Sequence, residues 1–211
     1  MFPTYSRREH VADAALHVIG VAFAVTGALV LMLTSIAQLP ARDIAGLAVY
    51  SAGLIAMFTA SAGYNLARVP AFKERLRRFD HAAIFLMIAG SYTPFALSKI
   101  GGRAGLALLA IVWGIAAFGI AAKLWAPRRG ERLSVALYLA QGWVIVFALG
   151  PLAEAVPHRS VMMLLAGGCV YTAGVVFHLL ERLPFHNVLW HTFVLGGAIL
   201  QYLSIYEAVL P

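Results

Sequence analysis

Seven apolar segments, each long enough to cross a bilayer, constrain this chain more than any other feature of its sequence. A helix needs about 20 mostly apolar residues to span the hydrocarbon core of a membrane. Windows of that kind occur at residues 14–38, 44–67, 81–98, 104–125, 133–153, 160–180 and 188–206. The pattern predicts an all-α membrane protein, a seven-transmembrane helix bundle that forms a single domain over residues 1–211.

The composition agrees with a membrane protein and excludes several other classes. Charged residues make up 12% of the chain, about half of the roughly 25% expected of a soluble domain. The single cysteine, Cys169, excludes an internal disulfide framework and CxxC metal sites. The first apolar segment is too long for the roughly 7–15 apolar residues of a signal peptide, so it counts as a span.

The net charge of +7 is explained by the short links between the spans. Most of the 16 lysines and arginines fall in links on the side of the N-terminus, among them Arg68, Arg128 and Arg129. Cytoplasmic loops carry an excess of positive residues, so the N-terminus is predicted to be cytoplasmic and the C-terminus outside. Attraction to anionic lipid explains the same residues without nucleic acid. Membrane lipid is therefore the expected partner, and no soluble protein partner is inferred.

Polar and ionisable residues recur at the predicted cytoplasmic ends of the spans. Glu9, Asp13 and His17 are spaced by four at the start of the first span and share one helical face. Ionisable groups are costly in a membrane and usually face the bundle interior, although helix ends near headgroups also tolerate them. We expect a polar cavity that opens toward the cytoplasm. The other residues placed at this depth are Ser61, Tyr64, Asn65, Asp80, His81, His178, Glu181, His186, Asn187 and His191.

Four stretches of the sequence resemble one known family. They read EHVADAALHVIG in the first span, SAGYN at the end of the second, FDHAAIFLMIAGSYTPF in the third and WHTFVLGG in the seventh. The chain resembles the hemolysin III-related membrane proteins, which are bacterial relatives of the adiponectin and progestin receptors. The resemblance covers most of the chain. It implies seven spans with a cytoplasmic N-terminus, in the bacterial inner membrane.

The resemblance also implies a zinc site at the cytoplasmic end of the bundle. In the family, one histidine of the second span and two of the seventh bind the metal, and an aspartate of the third span supports the bound water. Ser61, Asp80 and His191 match the family pattern, which assigns catalytic roles to the first two and metal binding to the third. Asn65 and Asn187 stand at the other two ligand positions. Zinc is therefore doubtful as a cofactor, because an amide oxygen is a poor substitute for imidazole.

Three outcomes for the site remain open. The metal is lost and the side chains at these positions form a hydrogen-bonded network, or neighbouring histidines replace the missing ligands, or a harder, oxygen-preferring cation binds. The candidate replacements are His17, His178 and His186. His186 is displaced by about 100° around the helix from the position it would replace.

Two classes of function follow from these outcomes. The first is a non-catalytic membrane protein that senses lipid or perturbs membranes, which the loss of two ligand histidines favours. The alternative is a metal-dependent hydrolase acting on a lipid amide or ester, as in the ceramidases with a similar zinc motif. Whether the chain is an enzyme is left open by the sequence.

Overall fold

The described part of the chain folds almost entirely into helices. The computed structural model describes residues 6–67, 69–125 and 131–210. A π-helical turn continues α3, and a 3-10 segment (Val144–Ala148) joins α5 to α6. The helices are α1 (Arg7–Ser35), α2 (Ala41–Leu66), α3 (Pro70–Pro94), α4 (Gly102–Trp125), α5 (Glu131–Trp143), α6 (Leu149–Ala155), α7 (His158–Leu179) and α8 (His186–Val209).

Seven helical segments of the described residues are long and apolar enough to cross a membrane. Large apolar side chains cover the outside of the bundle; Leu33 is 71% exposed and Phe147 92% exposed. Such a surface is stable against lipid rather than water. The predicted seven-span, all-α architecture is therefore confirmed. The segments are Arg7–Ser35, Ala41–Leu66, Phe72–Ile100, Gly102–Trp125, Arg132–Ala155, His158–Leu179 and His186–Val209.

The third span begins earlier than the sequence indicates. Residues 73–78 lie between the second and third apolar windows of the sequence, but in the structure they belong to the first turns of α3, which begins at Pro70. Proline is well suited to the first position of a helix, where its missing N–H is not needed. Asp80 consequently lies ten residues inside α3 and does not open it.

Seven helix ends lie together at one end of the bundle, which we call the N-terminal end because α1 begins there. It contains the beginnings of α1, α3, α5 and α8 and the ends of α2, α4 and α7. Contacts between these ends include Arg78 to the Leu124 carbonyl and the Tyr138 hydroxyl to the His81 carbonyl. The side of the membrane on which this end lies stays a prediction. Arg68, Arg128 and Arg129, which contributed to it, lie outside the described residues.

Two helices are irregular near the middle of the bundle, and Tyr92 joins the irregular regions. Its hydroxyl donates to the Gly142 carbonyl at 2.6 Å and accepts from the Ile145 N–H at 2.9 Å. The second contact supplies a partner for a backbone group where α5 gives way to the 3-10 segment. Just beyond Tyr92, the regular α-helix α3 ends at Pro94, and the chain continues in the π-helical turn Phe95–Ile100. Unsatisfied backbone groups are costly inside a bilayer, so this hydroxyl stabilises the break.

Candidate metal centre and cavity

The N-terminal end of α1 presents two buried ionisable residues on one face. Asp13 and His17 are 8% and 4% exposed and lie one helical turn apart. A capping box, in which Ser6 and Glu9 bond to each other's backbone N–H, fixes the start of this helix. Glu9 Oε1 also accepts from the Phe185 N–H at 2.8 Å, in the turn before α8. These contacts hold α1 beside the start of α8.

His191 of α8 completes a compact group with these two residues. Its Nδ1 lies 2.6 Å from Asp13 Oδ1, and its ring centroid is 4.4 Å from that of His17. The His17 Nδ1 lies 2.7 Å from the Asp13 backbone carbonyl. Because a carbonyl can only accept, His17 Nδ1 is the donor in this hydrogen bond, and in the neutral imidazole Nε2 then keeps a lone pair.

The group has the donor chemistry of a metal site. One ligand atom from each of Asp13, His17 and His191 lies within 4.8 Å of the others, and this is the one such cluster among the described residues. Two imidazoles and a carboxylate match the ligand set of catalytic zinc sites, which keep a fourth position open. A neutral imidazole with a lone pair on Nε2 is the form of His17 that would bind metal. These residues therefore fit a divalent cation such as zinc. For this candidate role we call Asp13, His17 and His191 the metal-binding group.

The polar residues predicted at the end of α2 and the start of α8 do meet. The Ser61 hydroxyl lies 3.3 Å from His17 Nε2, and the Asn65 amide donates to the Ser61 carbonyl at 3.0 Å. The Asn187 amide donates to Asn65 Oδ1 at 3.4 Å. The two asparagines therefore sit side by side next to the metal-binding group, as the family positions imply.

Asp80, at the family's aspartate position in the third span, contacts its neighbour His81, with 3.5 Å between Asp80 Oδ2 and His81 Nδ1. The carboxylate that contacts His191 is that of Asp13. Asp80 still lines the cavity described below. The catalytic roles of Asp80 and Ser61 stay predictions.

Of the three candidate replacement histidines, His17 joins the metal-binding group, and His178 and His186 do not. His178 packs against Trp190 with ring centroids 5.0 Å apart. His186 is buried in the first turn of α8, one position before Asn187. Adjacent residues differ by about 100° around a helix, so His186 leaves α8 in a different direction from Asn187 and does not join the group.

The sequence placed Asp13 among the polar residues at this end of the spans but did not name it as a metal ligand. Its spacing from His17 showed that the two share a face of α1. That spacing did not show that α8 packs against this face. The four-residue spacing of Asp13 and His17 was visible in the sequence. The partner of Asp13 on α8 was not, because it depends on how the helices pack.

A large cavity adjoins the metal-binding group and extends into the bundle. Its volume is about 770 Å³, within the range of roughly 300–1,000 Å³ typical of small-molecule sites. His17 and His191 line it near the N-terminal end. Its other lining includes the apolar side chains Met87, Ile88, Leu164, Leu165, Val194 and Leu195. The cavity therefore combines a polar end with an apolar interior.

Fold and site together define a class: a multi-pass, seven-span membrane protein with an Asp–His–His cluster at one end of its helices. The sequence profile of the haemolysin-III-related proteins matches residues 5–202. The chain is 34% identical over 204 residues to hemolysin-3 of Bacillus cereus, covering 97% of this chain and 93% of the relative. It is 32% identical to a hemolysin-3 homolog of Bacillus subtilis (strain 168), covering 92% and 91%. The chain belongs to the haemolysin-III-related family.

The similarity extends to animal proteins. The human monocyte to macrophage differentiation factor is 25% identical over 167 residues, covering 75% of this chain and 68% of the relative. No solved structure matches the chain. The expected kinship with the adiponectin and progestin receptor group is supported by the human relative.

Proposed function

We propose that the chain binds one amphipathic membrane lipid in the cavity, with the polar end of the lipid at the Asp13–His17–His191 group. The observation that carries this proposal is the joining of a metal-binding polar group to an apolar space within one cavity. Such a space suits one hydrocarbon chain, and the polar end gives the lipid a fixed orientation. In this proposal the protein senses a lipid or, in releasing it, perturbs the membrane.

The proposed occupant of the polar group is a divalent cation, with zinc as the first candidate. Two imidazoles favour zinc over magnesium or calcium, which prefer oxygen ligands. When bound, the ion supplies a Lewis-acidic position for the carboxylate, amide or ester oxygen of a lipid. His17 and His191 would contribute nitrogens, and Asp13 an oxygen. Asn65 and Asn187 would lie beside the ion as hydrogen-bonding groups.

The proposal also covers the orientation of the bundle and the membrane in which it lies. We place the N-terminal end of the bundle in the cytoplasm, because positive residues favour that side. We place the protein in the cytoplasmic (inner) membrane of a bacterium, because its two Bacillus relatives are bacterial proteins. The word hemolysin in the names of those relatives favours membrane perturbation as the consequence of lipid binding.

A second candidate is hydrolysis of a lipid amide or ester, and Ser61 is the observation that favours it. Its hydroxyl lies next to the metal-binding group, 3.3 Å from His17 Nε2. In this reaction water adds to the carbonyl carbon, the bond to the amine or alcohol breaks, and that leaving group takes up a proton. Asp80 would accept the proton of the attacking water, and the Ser61 hydroxyl would donate to the developing oxyanion.

One experiment tests both candidates on the full chain. Metal content is measured by elemental analysis of the detergent-purified protein, and the lipid that co-purifies with it is extracted and identified by mass spectrometry before reconstitution in nanodiscs. The wild type is expected to retain metal and one lipid per chain, and His191→Ala to lose both. A fatty-acyl amide is then added, and release of the amine is followed. Release that requires metal supports the hydrolase, and lipid binding without release supports the sensor. A wild type that retains no lipid would refute the first proposal.

A further inference from the structure

We propose that the inner part of the cavity holds a second polar subsite, where Gln201 accepts a hydrogen bond from the chain of the bound lipid. The lipid would therefore carry a hydroxyl or amide N–H along its hydrocarbon chain. This inference rests on the proposed binding of a lipid in the cavity, and it narrows the class of that lipid.

One face of α8 connects the subsite to the metal-binding group. His191, Val194, Leu195 and Gln201 all line the cavity. Val194 follows His191 by three residues and Gln201 follows Val194 by seven, so these three lie along one broad side of the helix. Ten residues separate His191 from Gln201, which corresponds to about 15 Å along the helix axis. A single lipid chain that begins at the metal-binding group passes the two apolar residues before it reaches Gln201.

The orientation of the Gln201 amide is fixed by α7. Its Nε2 donates to the Leu164 carbonyl at 3.1 Å. Because a carbonyl only accepts, the nitrogen and not the oxygen must occupy that position. Gly167 leaves the room for this arrangement, since a Cβ there would lie 3.0 Å from the same Nε2. The amide is therefore held between the two helices, and its Oε1 is the atom left for another partner.

Gln201 Oε1 is buried and has no hydrogen-bond partner among the described residues. A buried acceptor without a partner is costly, and more so in an apolar bundle. Only a donor can satisfy it, which excludes a plain hydrocarbon chain and selects a hydroxyl or an amide N–H. Gln201 combines this unpartnered oxygen with a position in the cavity lining.

Gln141 of α5 provides the matched comparison. Gln141 is fully buried, and its Nε2 donates to the backbone carbonyls of Phe85 and Val112. Like that of Gln201, its Oε1 lacks a partner among the described residues. It does not, however, line the cavity. A variant at this position removes a similar amide from the bundle without altering the proposed subsite.

The test compares two fatty acids on the full chain in nanodiscs. The probes are stearic acid and the hydroxystearic acid with its hydroxyl on the twelfth carbon. Their affinities are measured by displacement of a fluorescent fatty acid, with empty nanodiscs subtracted. The wild type is expected to bind the hydroxylated acid about three- to ten-fold more tightly, as one buried hydrogen bond allows. Gln201→Met and Gln201→Leu should lose or reverse this preference, because the hydroxyl then has no acceptor. Gln141→Leu should keep the preference.

Each other outcome has a definite meaning. Equal affinity of the wild type for both acids overturns the subsite and leaves lipid binding intact. A preference that persists in Gln201→Met also overturns it, because the hydroxyl then has another partner. Failure of both acids to displace the probe overturns the proposed function together with the subsite. The wild-type comparison needs no variant, so it decides the question even if both substitutions at Gln201 prevent folding.

Discussion

His191 Nδ1 lies 2.6 Å from Asp13 Oδ1, which joins two helices at positions 178 residues apart in the chain. The length is that of a strong, charge-assisted hydrogen bond. His191 stands at a position where the family pattern has a metal-binding histidine, and this contact pairs it with the carboxylate of Asp13 on α1. It also places both beside His17, so that loss of the two family histidines does not leave His191 isolated.

Removing the charge of Asp13 should weaken metal binding. Asp13→Asn keeps the size of the side chain but loses the carboxylate that contacts His191. We expect metal affinity to fall by at least about ten-fold, whether Asp13 binds the ion or orients His191. Competition with a chelator, followed by elemental analysis, measures the change. Asp43→Asn is the control, because Asp43 lies in the first turn of α2, away from the N-terminal end. Equal metal retention in the two variants would contradict the assignment of Asp13.

His17 should be required for metal binding and His178 should not. Both residues line the cavity, but only His17 belongs to the metal-binding group. We expect His17→Ala to be purified without metal and His178→Ala to keep the wild-type content. Metal loss in His178→Ala and not in His17→Ala would mean that the cation sits elsewhere in the cavity. Circular dichroism before the analysis confirms that both variants are folded.

Restoring the family histidines should strengthen the site. Asn65 and Asn187 are adjacent, and Asn65 and His17 both contact the Ser61 hydroxyl. The double variant Asn65→His/Asn187→His therefore places two more imidazoles beside the metal-binding group. We expect slower loss of zinc to a chelator than in the wild type. The variant Asn65→Gln/Asn187→Gln controls for side-chain size, and an equal rate in both double variants would argue against a metal position here.

Asp80 should matter for hydrolysis but not for holding the metal. It lies outside the Asp–His–His group and pairs with His81. If the chain hydrolyses lipid amides, Asp80→Asn should lower the rate constant by about 10²-fold or more, as expected of a lost general base. Its metal content should stay at the wild-type level. Metal loss in this variant would show that Asp80 approaches the ion more closely than its contacts in the structure indicate.

Two tyrosines give a paired test of the helix breaks. Tyr92→Phe removes a donor to the Gly142 carbonyl and leaves the Ile145 N–H without its partner. We expect it to destabilise the protein by about 1–3 kcal/mol, the usual cost of an unsatisfied buried group. Tyr50→Phe should be neutral or stabilising, because the buried Tyr50 hydroxyl has no partner among the described residues. Thermal unfolding in detergent compares the two, and equal effects would contradict this role of Tyr92.

The sequence by itself determined the seven spans and the clustering of polar residues at one end. Both follow from local properties. Hydropathy sets where a helix can cross the bilayer, and because successive spans cross in opposite directions, their order sets which helix ends lie on the same side. Most span boundaries agree to within a few residues. The start of the third span was wrong, because a run of charged residues continues a helix beyond its apolar part as readily as it forms a link. The family was also evident from the sequence, as the match to residues 5–202 confirms.

The tertiary structure decided which of these polar residues face each other. Sequence spacing placed Asp13 and Asp80 at similar depth, and only the rotation of α1 and α8 about their axes selected Asp13 as the partner of His191. The same rotation brought in His17 and excluded His186, one residue away from a family position. Depth along a helix is set by the local pattern of apolar residues. The direction of a side chain across the bundle is set by packing against helices that are distant in the sequence, such as α1 against α8.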